Sequence, residues 1–300
     1  GGSAQVPSTG RPHWSRRWPV AEHIVIVTVV HGRHAHLREQ RRILRDVSPG
    51  TPHIIVAMDD QAIDDVVAGQ PSVTVIHVER DPRGLPLARA RNIGVRAALR
   101  SGADLVVLLD VDCVPGPRLV SSYESAAERV PQALLCGPVT YLDEGVRVPD
   151  DARRLDDLTD PHPARPAPSP GTIQRDGSHE LFWSLSFAVK ASTWDLLGGF
   201  AEEYVGYGAE DTDLGRVARE RGVELVWVGG AHAYHQHHPV SRPPVEHLVD
   251  IVRNASIYWR RWHEWPMSGW LDEFERQGRI IRRPGEIVLV ATADGHETRA

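Results

Sequence analysis

Leu105-Val-Val-Leu-Leu109-Asp110-Val111-Asp112 is the stretch that decides the fold. An apolar run ends in two carboxylates that flank a single residue. Positions i and i+2 of a strand project to the same side, so Asp110 and Asp112 point together. Two like charges held this way repel unless a cation lies between them. A divalent ion with oxygen ligands, Mg2+ or Mn2+, is the expected partner, and such ions also bridge to phosphates. The plainer alternative is two acids solvated at a strand–loop junction or capping the next helix. The run itself is apolar throughout rather than alternating, which suits a strand buried on both faces of a parallel sheet.

Outward from this stretch, similar runs recur at Ile24–Val30, His53–Met58, Val73–Val78 and Ala133–Cys136. Between them lie segments of helical spacing: Leu37 to Val47, Ala62 to Val67, Leu87 to Leu99 and Leu119 to Val130. This alternation predicts an open α/β sheet, mostly parallel and flanked by helices. Ligands of such sheets bind at the carboxyl ends of the strands, where Asp110 and Asp112 stand.

After Tyr141 the pattern changes. Residues 142–180 are acidic and then proline-rich, which predicts a functional loop or a disordered one, expected to order over a bound ligand as a lid. Leu181–Val189 reads as a strand, Glu210 to Arg221 as a helix, Val223–Val228 as a strand and Pro244–Trp262 as an amphipathic helix. A terminal strand is read at Ile287–Val290. The domain reading is a flexible arm over 1–22, a main α/β unit over 23–240 with 142–180 as a variable loop, and a helical extension over 241–300. Gly1-Gly2-Ser3 opens the chain without a methionine and is set aside as a cloning remnant.

Composition bounds the function. The chain has 300 residues, enough for one large α/β domain with extensions. A net charge of −6 argues against a general nucleic-acid binder. Two cysteines, Cys113 and Cys136, are too few for a disulfide framework. No apolar run approaches the length of a membrane span. The expectation is a reduced, cytoplasmic chain. Lys190 is the single lysine, and the arginine excess is read as codon bias.

Two more features carry chemistry. Gly206-Tyr207-Gly208-Ala209-Glu210-Asp211-Thr212-Asp213 leads glycines into an acidic helix start. Acids favour helix N-termini, yet three in four positions exceed what capping needs. A carboxylate aimed into a cleft there would accept a proton from a hydroxyl. Ala231-His-Ala-Tyr-His235-Gln-His237-His238-Pro239 follows a strand and holds four histidines in seven residues. Imidazoles so clustered suit metal ligation or proton transfer.

In this order, Asp110-Val111-Asp112, the Gly208–Asp211 segment and the downstream histidine resemble GT-A glycosyltransferases, and the whole run from about residue 24 to 240 resembles glycosyltransferase family 2. The opening Val25-Ile-Val-Thr-Val-Val-His31 is similar to that family's first strand, although the usual Pro-x-Tyr/Phe-Asn is replaced by His31-Gly-Arg-His-Ala-His36. Met58-Asp59-Asp60, Ala88-Arg-Ala-Arg91-Asn92-Ile-Gly94 and Leu197-Gly-Gly-Phe200-Ala-Glu-Glu203 also match. The later part resembles β-1,4-galactosyltransferases.

The resemblance implies a GT-A, Rossmann-like fold and a metal-dependent transferase moving a hexose from a nucleotide-sugar donor to a saccharide or glycolipid acceptor. GDP-mannose is slightly preferred as donor over a UDP-hexose. It implies metal binding by Asp112 and His235, with Asp110 less direct and His238 as second choice. Val30, His31, Asp59, Arg91, Asp110, Val111 and Asp112 would bind the donor. Asp211 would be the general base in an inverting enzyme, beside Glu210. Trp183, Tyr207, Gly208 and Glu210 would meet the acceptor, with core packing an equal alternative for the two rings. The tryptophans of 259–270 admit homo-oligomerisation, core packing being simpler. The rivals are a nucleotidyltransferase, which should carry a glycine- and lysine-rich phosphate loop absent here, and a non-catalytic sugar- or metal-binding protein.

Overall fold

The computed structural model describes residues 23–290. The expected N-terminal arm and the last ten residues lie outside them. The five apolar runs are strands at the bounds read from sequence: β1 (Ile24–Val30), β2 (His53–Met58), β3 (Val73–Val78), β4 (Leu105–Leu109) and, after the short β5 (Cys113–Pro115), β6 (Ala133–Cys136). Then follow β7 (Val139–Tyr141), β8 (Ile173–Gln174), β9 (Ser186–Lys190), β10 (Glu224–Val228) and β11 (Ala233–His235). The helices among them are α1 (His34–Val47), α2 (Ile63–Val67), α3 (Leu87–Arg100), α4 (Leu119–Arg129), α5 (Ala191–Leu197) and α6 (Glu210–Glu220).

Eight strands form the main sheet, in the order β3-β2-β1-β4-β9-β6-β10-β8. β3, β2, β1 and β4 are parallel neighbours, and β6 pairs parallel with β10. β9 runs antiparallel between β4 and β6, and β8 antiparallel at the edge. The strand order reverses at β1, so the crevice between the carboxyl ends of β1 and β4 is the topological switch point where ligands of such sheets bind.

Side-chain alternation explains the layers. Val25, Val27 and Val29 of β1 share one core with Ala88, Ala90 and Val95 of α3 and Leu214 and Val217 of α6. Ile26, from the same strand, joins Leu119, Tyr123 and Ala126 of α4 on the other face. A strand apolar on both sides therefore has helices on both sides, the three-layer arrangement that the unbroken runs predict.

The expected strand over Leu181–Val189 is shorter. Residues His179–Leu181 make one 3-10 turn, and β9 begins at Ser186. Phe182 is buried edge-on against Phe187 at 5.0 Å, so the chain bends there instead of extending.

Residues 142–180 are docked along the sheet. His162 donates its backbone N–H to the Val139 carbonyl, Gly171 to Gly229, Gly229 to Thr172 and Gly177 to Leu225. A 3-10 helix over Ala152–Leu158 buries Ala152 and Leu155. Arg165 lies 3% exposed between two indoles, its guanidinium 5.3 Å from the Trp183 ring and 4.8 Å from Trp227.

Beyond residue 240 come α7 (Leu248–Trp262), α8 (Ser268–Arg276) and a hairpin of β12 (Ile280–Arg283) with β13 (Glu286–Leu289). The terminal strand read at Ile287–Val290 is β13, displaced by one residue. Ile251, Ala255, Leu271, Phe274 and Ile280 build a separate small core. Trp259 stacks on Trp265 at 4.6 Å within this unit. Among the described residues no helix is long and apolar enough to cross a membrane.

Candidate metal and active site

Asp110, Val111 and Asp112 form the turn between β4 and β5, and the turn is fastened from beneath. Gln40 of α1 is fully buried and donates its amide to the carbonyls of Asp110 at 2.7 Å and Cys113 at 2.8 Å. Its Oε1 accepts from the Thr28 hydroxyl at 3.0 Å. Buried His53 lies 2.9 Å from the Thr28 hydroxyl through Nε2, and Arg41 lies 3.1 Å from its Nδ1. Burial, then the nearby Arg41 charge, holds His53 well below the usual histidine range, so the ring is neutral.

A second, three-stranded sheet brings the histidines to this turn. β11 pairs antiparallel with β5, placing His235 opposite Cys113, and parallel with β7, placing His235 opposite Tyr141. One residue on, Gln236 donates its N–H to the Asp112 carbonyl at 2.7 Å. His235 Nε2 then lies 3.4 Å and His238 Nε2 3.2 Å from Asp112 Oδ2. Ligand atoms of Asp112, His235 and His238 all fall within 4.8 Å of one another.

The donor set fits a divalent ion. Asp112 Oδ1 is buried with no hydrogen-bond partner, and one carboxylate with two imidazoles is a mixed O/N set that Mn2+ accepts. Burial disfavours the Asp112 carboxylate, yet the contacts with His235 and His238 outweigh it and hold the group far below the usual range. Asp110 is outside this cluster: its Oδ1 pairs with Arg91 at 3.1 Å. Burial raises its pKa against the pull of Arg91, and the neighbouring Asp112 adds to the rise.

Arg91, read from sequence as a donor contact, is 5% exposed and held between two carboxylates. One nitrogen reaches Asp110 and another reaches Glu210 Oε1 at 3.0 Å. The guanidinium thus ties the β4 turn to the start of α6. Glu210 Oε2 is buried and unpartnered. Asp211, next to it, is raised to about 7 by burial and by the Glu210 charge. A carboxyl near 7 is poised for proton transfer at neutral pH.

Other sequence-selected residues fall around this centre. The Tyr207 ring stacks on His247 at 4.4 Å and lies nearly parallel to Trp270 at 5.8 Å. Burial and then the charges of Asp211, Glu210, Asp112 and Asp110 push its hydroxyl pKa upward. Gly208 gives its carbonyl to Asn254. Trp183 joins the centre through other rings: it meets His162 at 5.2 Å, His162 meets Tyr141 at 5.5 Å, and Tyr141 stacks on His235 at 4.5 Å.

On the β1–β2 side, Val30 and Val111 sit in one apolar cluster, so only their backbone is free to face a ligand. His31 Nδ1 is 2.7 Å from the Met58 carbonyl, and Asp59 accepts from Arg80 at 3.1 Å. Asp60 holds the loop after β1, accepting from the Gly32 N–H and lying 2.8 Å from His34 Nε2.

Sequence reasoning missed Gln40, Tyr141, Arg165 and Asn254. Only Asn254 left a signal, a polar side chain on the apolar stripe formed by Ile251, Ala255 and Tyr258. The others carry nothing in their local pattern.

No family model matches the chain. It is similar to hyaluronan synthase of Pasteurella multocida, 24% identical over 239 residues, which is 69% of this chain and 24% of that protein. It is similar to validoxylamine A glucosyltransferase of Streptomyces hygroscopicus subsp. jinggangensis, 27% identical over 199 residues, 57% of this chain and 45% of the relative. Chondroitin synthase of Escherichia coli is 27% identical over 211 residues, 62% of this chain and 30% of the relative. The relatives are glycosyltransferases. The chain spans less than half the length of each of the three. With the sheet order and the carboxylate turn after β4, they bear out the resemblance to GT-A glycosyltransferases of the family 2 type.

Proposed function

We propose that the chain transfers a hexose from a nucleoside-diphosphate sugar to a hydroxyl of a saccharide or glycolipid acceptor, with a divalent cation. The observation that carries this is the Asp112–His235–His238 cluster after β4, whose turn Arg91 ties to Glu210, the neighbour of a carboxyl raised to about 7 at Asp211.

In this reading Asp112, His235 and His238 hold a divalent cation, Mn2+ matching two imidazoles better than Mg2+, and Asp110 stays with Arg91. The cation supplies charge stabilisation for the departing nucleoside diphosphate. Arg91 keeps Asp110 and Glu210 compatible at short range and so acts on the donor indirectly. His31, Asp59 and the Val30 and Val111 backbone border the nucleoside. Asp211 takes the proton of the attacking hydroxyl, and Glu210 orients that hydroxyl. Tyr207 contributes its hydroxyl rather than its ring face, since His247 and Trp270 already pack on the ring. Trp183, with His162 and Tyr141, lines the acceptor side, and Gly208 keeps the backbone close.

The donor is a nucleoside-diphosphate hexose. GDP-mannose is the sequence expectation; a glucosyl donor stands beside it because one relative's name carries that sugar. The test is donor turnover in the presence of Mn2+ for UDP-glucose, UDP-galactose and GDP-mannose, in wild type and Asp211→Asn. Metal-dependent release of one nucleotide, lost in Asp211→Asn, is expected. Release from none of them would refute the reading.

A further inference from the structure

We propose that Asn254 of α7 is a positioning residue that sets the direction of the Glu210–Asp211 pair; the inference rests on the acceptor-side reading of that pair. The loop before α6 has an unusual backbone: Gly206 at φ 75°, Gly208 at φ 93° and Ala209, which is not glycine, at φ 75°. Left-handed residues at 206, 208 and 209 break any regular hydrogen-bond ladder, and the non-glycine one is strained by its Cβ. Such a loop keeps its shape only when its surroundings over-determine it.

α7 supplies those surroundings. Asn254 is fully buried and points its amide at three loop carbonyls, Val205 at 3.1 Å, Tyr207 at 3.2 Å and Gly208 at 2.9 Å. An amide has two N–H groups, so the three oxygens are gathered around one nitrogen. Arg253, beside it, donates to the Val205 carbonyl at 2.6 Å, and Asp250 accepts the Tyr207 N–H at 3.2 Å. The packing is tight: a Cβ on Gly206 would lie 2.1 Å from Asp250 Oδ2.

Glu210 opens α6 directly after Ala209. The side-chain directions of Glu210 and Asp211 therefore follow from the dihedrals that Asn254 pins. Arg91 fixes the other end by holding Glu210 Oε1. The C-terminal unit thus contributes to the site without touching a reacting atom.

The test compares Asn254→Ala and the milder Asn254→Ser with Val249→Ala, an exposed position on the same helix, all in the full chain. Hydrogen exchange should rise at residues 205–211 in Asn254→Ala, stay unchanged at 110–113, and fall part-way back in Asn254→Ser. Mn2+-dependent nucleotide binding should stay within twofold of wild type. With the best donor, kcat should fall by at least ~10-fold at unchanged donor KM, a misplacement effect, and the acidic limb of the pH profile should move below 7. Exchange rising across the whole chain, or rising at 205–211 with kcat and pH profile unmoved, would overturn the proposal. Absence of turnover in wild type would overturn the glycosyl-transfer reading instead, and the exchange data would still decide whether Asn254 holds the loop.

Discussion

The N–H of Gln236 donates to the carbonyl of Asp112 at 2.7 Å, and this bond joins the two halves of the candidate metal site. One half ends β4; the other follows β11, more than a hundred residues later. The register of β5 with β11 makes the contact obligatory, because His235 faces Cys113 across the small sheet. The placement of Asp112 and His235 is therefore a product of strand pairing, and His238 is brought in by the segment that follows β11.

Asp112→Ala should lower Mn2+ affinity by more than the roughly 10–100-fold that the loss of an outer-shell partner costs. The melting temperature without metal should fall only modestly, since the side chain's contacts with His235 and His238 are lost while the Gln236 N–H bond to the residue-112 carbonyl remains. Calorimetric Mn2+ titration of both proteins checks this. Equal affinities would remove Asp112 from the site.

Much of this was legible in sequence. The apolar runs place β1 to β4 and β6 at their observed bounds; β1, β2, β4 and β6 are buried on both faces, whereas β3 lies at the sheet edge and exposes Thr74 and His77. Asp110, Asp112, Glu210, Asp211, His235 and His238 were singled out by type and spacing. The finer division was not legible. Only the fold tells that Asp110 turns to Arg91 while Asp112 turns to the histidines, because β4 ends at Leu109 and the two acids sit on a turn rather than on one side of a strand. Nor does any local pattern mark Gln40, whose partners are carbonyls 70 and 73 residues away.

Gln40→Leu keeps the volume of a fully buried side chain but takes the amide donors away from the Asp110 and Cys113 carbonyls, leaving Asp110 with the Cys113 N–H and Thr28 with Leu109 and His53. The expected loss is about 2–4 kcal/mol, from buried carbonyls left short of a donor. Urea denaturation measures it. The loosened turn should also weaken Mn2+ binding, roughly 10-fold or more. A stability change near zero would show that the network under the carboxylate turn contributes nothing.

Asp211 gives two pH signatures with opposite demands. As a base it works deprotonated, so kcat/KM should rise with pH through about 7 and fall on the acid side. For stability the sign is reversed. A carboxyl raised from about 3.9 in the unfolded chain to about 7 when folded binds its proton more tightly in the native state. Stability is then lost as pH rises from about 4 to about 7. Asp211→Asn, which mimics the neutral acid, should melt several degrees above wild type at pH 8, and the gap should close as pH falls toward 4. A variant less stable at pH 8 would mean that the carboxylate is satisfied where it sits. Activity set against stability at one residue is common at functional sites.

The proline-rich segment was expected to order over bound donor, but its backbone is already hydrogen-bonded along β7 and β10, and Arg165 is clamped by Trp183 and Trp227. Proteolysis within Pro161–Pro170 should be slow and insensitive to nucleotide. Arg165→Ala should open it, because a buried guanidinium over two indoles is replaced by a void. Wild-type cleavage that slows only when nucleotide and Mn2+ are added would restore the lid.

The most direct measurement of the central claim is thermal unfolding of the wild-type chain with UDP and GDP, each with and without Mn2+. Ligand binding to the native state alone stabilises it by mass action, about 2.7 kcal/mol at a hundredfold excess over the dissociation constant. A rise in melting temperature with one nucleotide, present with Mn2+ and absent in Asp112→Ala, is the predicted result. No metal-dependent rise with either nucleotide would contradict a nucleotide-sugar site built on Asp112, His235 and His238.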